Sequence, residues 1–122
     1  MNKKILSIII AAAVIIAAGG LIFWYLNSPK TQIDTSGIIL FYSEGCPHCQ
    51  NVDNFIAQNN VEQKVKFARL EVFNNKDNQK VLLQKAQACN LPLDQIGVPL
   101  LWDGNTCIVG DQDIIKFFQG KI

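Results

Sequence analysis

The sequence predicts an α/β domain of order β-α-β-α-β-β-α, carried behind one apolar N-terminal helix. Three observations lead there. An almost unbroken apolar run extends from Ile5 to Leu26. Beyond residue 36, short β-prone runs alternate with segments of helical spacing. At the first hand-over from strand to helix stands Ser43-Glu44-Gly45-Cys46-Pro47-His48-Cys49-Gln50.

The N-terminal run comes first. Asn2, Lys3 and Lys4 are polar or basic, and Ser7 is the one polar residue in the apolar stretch that follows. About 20 apolar residues span a bilayer as a helix. The run ends in Phe23-Trp24-Tyr25, which suits the membrane interface. Lys3 and Lys4 belong on the cytoplasmic side, so the C-terminal part is expected across the membrane, periplasmic or at the cell surface. A cleaved signal peptide competes with this anchor. Its apolar core is about 7–15 residues and ends at small residues before a polar mature start. Here Ala17-Ala18-Gly19-Gly20 is followed by more apolar residues, which favours the uncleaved anchor. Residues 27–36 then read as a polar linker with one proline.

The remaining chain, 37–122, is the size of one small domain. Lys3, Lys4, Lys30 and Asp34 precede it, leaving 8 basic against 9 acidic residues, about −1. Nothing in that balance suits nucleic acid.

Ile38-Ile39-Leu40-Phe41-Tyr42 is an apolar run of strand length, expected to be buried. Cys49, Val52, Phe55 and Ile56 give the following segment an apolar helical face, and Asn59-Asn60 stops it. Lys64 to Phe73 reads as a second strand, broken by Asn74-Asn75. A second helix runs from about Lys76 to Cys89, with Leu82, Ala86 and Cys89 on one face. Ile96 to Trp102 is a third strand entered through Pro99, with Trp102 placed in the core or hairpin. Asp103-Gly104 is a hairpin signal, and Thr106 to Gly110 is the fourth strand. Asp111 can cap a last helix whose apolar face is Ile114, Phe117 and Phe118.

The Cys-x-x-Cys carries the chemistry. Wound as a first helical turn, its two sulfurs come within disulfide reach. Cys46 falls at or beside the N-cap, where unpaired N–H groups and the helix dipole stabilise a thiolate. The thiolate is the attacking species in thiol–disulfide exchange and the better leaving group. Pro47 fits the first helical position, having no N–H to satisfy. His48, the one histidine of the chain, is expected in the same electropositive region, where its protonated ring favours the Cys46 thiolate. Cys49 is the resolving thiol, buried one turn in. Half of a zinc site is an alternative, but Cys89 and Cys107 do not form a second Cys-x-x-Cys. A purely structural disulfide is the other, and a short loop at a helix start makes a poor staple. No metal and no cofactor is called for.

Cys46-Pro47-His48-Cys49 resembles the active site of the DsbA-type disulfide oxidases of the thioredoxin superfamily. The element order resembles the minimal thioredoxin fold, as in glutaredoxins, over about Gly37 to Ile122. The resemblance implies a four-stranded mixed sheet flanked by helices. It also implies a cis-proline facing the active cysteines, and Val98-Pro99 occupies that place. There the Val98 backbone would pair with an extended substrate peptide. Gly110-Asp111-Gln112-Asp113 loosely resembles the turn by which glutaredoxins hold glutathione, with simple capping by Asp111 the plainer reading. Three departures stand out. The helical insertion of the DsbA-type enzymes has no room between Phe73 and Ile96. The acid often found six residues before the first cysteine is replaced by Leu40, and Glu44 is expected exposed in the loop. The domain is also tethered to a membrane.

In the fold so implied, Cys89 and Cys107 both lie near the third and fourth strands. A structural disulfide between them is the first reading; a second redox pair and two free buried thiols are the others, and four cysteines allow three pairings. The function expected is extracytoplasmic thiol–disulfide exchange with the thiols and disulfides of secreted proteins. Donation of disulfides requires a membrane partner, of quinone-linked kind, that reoxidises Cys46 and Cys49, while the bilayer holds residues 5–26. The alternatives are a tethered reductase of the glutaredoxin or cytochrome-maturation kind, and a non-catalytic thioredoxin-fold binding module.

Overall fold

In the computed structural model, residues 1–28 and 34–122 are described. The linker expected over 27–36 therefore lies partly outside the described residues. The chain divides into two compact units, Met1–Gln32 and Ile33–Ile122.

The first unit is one helix, α1 (Lys3–Leu26), of 24 residues, whose most apolar 18-residue stretch has a mean hydropathy of 2.8. At 1.5 Å per residue it is about 36 Å long, enough for the roughly 30 Å of a hydrocarbon core. Among the described residues it is the one helix long and apolar enough to cross a membrane. It has no buried residue.

The second unit contains β1 (Ile39–Tyr42), α2 (Pro47–Gln58), α3 (Val61–Lys64), β2 (Ala68–Glu71), α4 (Lys76–Ala88), β3 (Leu100–Trp102), β4 (Cys107–Val109) and α5 (Asp111–Gln119). The four strands form one mixed sheet in the order β2-β1-β3-β4. β1 runs parallel to β2 and antiparallel to β3, and β4 pairs antiparallel with β3. This is the four-stranded mixed sheet expected.

Both faces of the sheet are covered, which explains why β1 and β3 are apolar without alternation. Ile39, Phe41, Leu100 and Trp102 join Leu70, Val72 and Leu82 in one cluster, on the face of α4. Leu40 and Leu101 point the other way, to Val52 and Ile56 of α2, Val61 of α3, and Ile114 and Phe118 of α5. The single-residue alternation of a strand thus feeds two cores.

Several elements differ from expectation. The chain does not pass straight from α2 into a strand at Lys64. Asn60 takes a left-handed conformation, φ 49°, and the turn α3 follows. That places Val61, fully buried, as a plug in the α2–α5 cluster. β3 begins at Leu100 rather than Ile96, because Pro99 has no N–H to give a ladder. The helix expected to end at Cys89 ends at Ala88, with Cys89 as its C-cap. The hairpin turns at Gly104 and Asn105, one residue later than Asp-Gly suggests; Asp103 Oδ1 accepts from the N–H groups of Asn105 and Thr106 at 2.8 and 2.7 Å. Asp111 does not cap α5. Gly110, at φ 94°, holds the cap position, and Asp111 is the first helical residue.

Candidate redox site

Parallel pairing of β1 and β2 delivers Tyr42 to the end of the sheet where α2 starts. Gly45, at φ 76°, swings the chain from Ser43 into the helix. Cys46 becomes the N-cap, and its sulfur accepts the N–H of Cys49 at 3.2 Å. Pro47 is the first helical residue. The Cys46 sulfur thus does the work that a serine or aspartate oxygen does at most helix starts.

Both Cys46 and Cys49 are free thiols. Cys46 is half-buried, whereas Cys49 is 2% exposed. Burial first, and then its hydrogen bond with Cys46, push the Cys49 thiol up to about 12. The negative charge of Asp53, one turn further along α2, acts in the same direction, while the backbone of Ser43 pulls the other way. Asp53 itself pairs with Arg69 of β2, which also reaches Glu62 at 3.4 Å and lies over the Tyr42 ring.

Across from the helix start, the Cys46 thiol lies 3.7 Å from the Val98 carbonyl oxygen, its acceptor. The Val98–Pro99 peptide is cis. Pro99 O in turn accepts the N–H of Gly110 at 3.1 Å, tying this loop to the start of α5. A groove of about 290 Å³ runs there, lined by His48, Gln95, Val98, Pro99, Val109 and Asp111.

His48 has a partner that the sequence did not disclose. Its ring is 72% exposed, and Nδ1 sits 3.2 Å from Asp111 Oδ2. Asn51 Nδ2 donates to the same oxygen at 2.6 Å. Hydrogen bonds from Asn51, then from His48, hold the Asp111 carboxyl down to about 2. Asp111 and His48 are 63 residues apart, and no local pattern links them.

Leu40 is 1% exposed, inside the apolar α2–α5 cluster, and Glu44 is exposed. Cys89 and Cys107 are not brought to the site. They are bonded to each other, S–S 1.97 Å, with Cα atoms 5.9 Å apart. Cys107 faces Trp102 at the far end of the hairpin from Pro99 and Gly110. The bond ties the end of α4 to the edge strand β4. Trp102 is core, with Lys85 Nζ over its ring at 4.5 Å. Among the described residues, no three His, Cys, Asp or Glu side chains converge as a metal site would require.

No protein-family model and no curated protein matches the chain. Solved structures do. The glutaredoxin (grx-1) of Archaeoglobus fulgidus is 14% identical, and the match covers 77% of this chain and 100% of that one, with a TM-score of 0.52. The fold is the thioredoxin fold. A thioredoxin-like protein (21% identical, 69% and 96% covered, TM-score 0.49) and wheat glutaredoxin (21%, 70% and 71%, 0.47) also match. In this chain the cysteine pair at the start of α2 faces the cis Val98–Pro99 loop. The Cys46–Cys49 pair fits the Cys-x-x-Cys pattern.

Proposed function

We propose that this chain is a membrane-anchored thiol–disulfide oxidoreductase that works outside the cytoplasm and exchanges disulfides with secreted proteins. The observation that carries this reading is the asymmetry of the two thiols. Cys46 is accessible at a helix N-terminus, and Cys49 lies buried beneath it with its proton held to about 12. One sulfur is built to meet a substrate and the other to wait.

In the donating direction, a substrate thiolate attacks Cys46 of the Cys46–Cys49 disulfide. The S–S bond breaks, and Cys49 leaves and takes up a proton. A second substrate thiolate then attacks the substrate sulfur of the mixed disulfide and displaces Cys46. The substrate loses two electrons and two protons, and the Cys46–Cys49 pair gains them. Val98 O and Pro99 border the place where the mixed disulfide forms, so the Val98 backbone is the docking site for the substrate chain. A quinone-linked membrane protein is the partner that restores the disulfide. α1 holds the domain at the bilayer, and Lys3 and Lys4 set its orientation. The Cys89–Cys107 bond acts as a staple.

A redox titration tests the reading. The full chain, in detergent, is equilibrated across glutathione buffers, and thiols are alkylated and assigned by mass spectrometry. A donor has a Cys46–Cys49 pair that is easily reduced and a Cys89–Cys107 pair that resists. A Cys46–Cys49 pair that stays oxidised until strongly reducing buffers makes the chain a reductase instead. Cys46→Ser abolishes exchange in either case, and a chain that keeps its full effect after that change is a binding module. Alkylation of intact cells with a membrane-impermeant reagent tests the sidedness.

A further inference from the structure

We propose that Asp111 is a positioning residue for the redox pair, acting on Cys46 through His48. The inference rests on the redox reading above and deepens it.

Asp111 is 9% exposed, one of the two polar residues in the buried set. A carboxylate in that position needs donors. The cap position of α5 belongs to Gly110, and Asp111 gives only one of its two oxygens to its own helix end. Its Oδ1 takes the neighbouring Gln112 N–H at 3.0 Å. Its Oδ2 faces α2 and receives both Asn51 Nδ2 and His48 Nδ1. Asn51 stands one turn after His48 on α2, so the two donors share one face. One oxygen of α5 therefore clamps the first turn of α2, the turn that Cys46 caps.

The clamp fixes two properties of His48. A carboxylate at Nδ1 sets the rotation of the ring and which nitrogen carries the hydrogen in the neutral form. It also holds the ring at the first turn of α2, two residues from Cys46. His48 and Val98 line one groove, and the Cys46 sulfur lies 3.7 Å from Val98 O at its edge. When protonated, a ring held there favours the Cys46 thiolate, stabilises the reduced pair and makes the disulfide easier to reduce.

The sign separates this route from the obvious rival. Acting directly, the negative charge of Asp111 opposes a thiolate, so its removal makes the pair easier to reduce. Acting through His48, its removal makes the pair harder to reduce.

The test is the Cys46–Cys49 reduction potential of the full chain in detergent, against glutathione, for wild type, Asp111→Asn, Asn51→Ala, His48→Ala and the double variant His48→Ala with Asp111→Asn. Asp111→Asn is expected to lower the equilibrium constant for reduction at least about threefold, which is about 14 mV for a two-electron couple. Asn51→Ala, on an exposed helix position where alanine is well tolerated, shifts it in the same direction by less. In the His48→Ala background, Asp111→Asn has no further effect. A rise on Asp111→Asn, no change, or an equal fall with and without His48 each overturns the proposal. Those outcomes leave a wild-type pair that exchanges with glutathione, and so leave the redox reading standing. A wild-type pair that does not exchange at all overturns both.

Discussion

Replacing Cys46 by alanine leaves Cys49 as the lone thiol of the site and asks what governs it. Cys49 stands at about 12 against an ordinary 9.0, so at any pH below both it carries about a thousandfold less thiolate. The largest cause is burial, followed by the hydrogen bond with Cys46. Cys46→Ala removes the second and leaves the first largely in place, because Cys49 is only 2% exposed and lies on the buried side of α2 with Val52 and Ile56. Cys49 is therefore expected to remain above 9.0 in the variant. Two assays read this out: thiolate absorbance through an alkaline titration, and alkylation of the native and urea-unfolded protein. Native wild type takes one adduct, at Cys46, at neutral pH. Native Cys46→Ala takes none in the same time, and takes one when unfolded. Alkylation of native Cys46→Ala within about tenfold of the unfolded rate would refute the argument, since burial would then not control the proton. The linkage has a definite sign. The folded reduced domain favours the neutral Cys49 thiol. Its contribution is present below the unfolded value near 9 and is lost as pH rises towards about 12.

Other predictions concern the frame around the pair. Cys89→Ala with Cys107→Ala opens a cross-link of sequence separation 18. The chain-entropy relation gives a loss of about 3 kcal/mol, and a fall in Tm of about 12–24 °C for a domain of this size. Calorimetry measures it; a loss under about 1 kcal/mol would mean the bond is no staple. Leu40→Ala should cost about 2–5 kcal/mol by denaturant unfolding, and Leu40→Asp more, since its carboxylate would stand in the apolar cluster of Val52, Ile56, Val61, Leu101, Ile114 and Phe118. Equal costs would show that the site admits water. Asp111 is held down to about 2 from 3.8, chiefly by Asn51 and His48. A depressed carboxylate contributes stability above the unfolded value, which is lost as pH falls through the folded one. The stability gap between wild type and Asp111→Asn should therefore close between pH 3.8 and about 2, and a gap that persists at lower pH would show that the carboxylate charge is not its source.

Much of the fold was legible because local physics wrote it. Cys46 at the cap and Pro47 at the first helical position announce the start of α2. Asn75, read along the chain only as a strand break, also caps α4, its Oδ1 accepting from the N–H groups of Asp77 and Asn78. Strand ends were less legible. The run from Lys64 to Phe73 favours a strand throughout, yet Lys64 closes α3 and the ladder begins only at Ala68 and ends at Glu71. β3 loses its expected first half because Val98 and Pro99 turn to face Cys46.

The sequence by itself determined the apolar helix, the order of the elements and the cysteine pair at a helix start. Each depends on residues within a turn or two of one another, where spacing alone decides the geometry. Tertiary structure decided what surrounds that pair. Asp111 reads along the chain as a helix cap, and only the packing of α5 against α2 turns its Oδ2 to His48 and Asn51. The Cys89–Cys107 bond was the first of several readings along the chain, and the register of β4 on β3, with α4 beneath, decides it. These contacts join residues 18 to 63 positions apart, and hydrogen bonding and burial across such distances leave no periodic mark on a sequence.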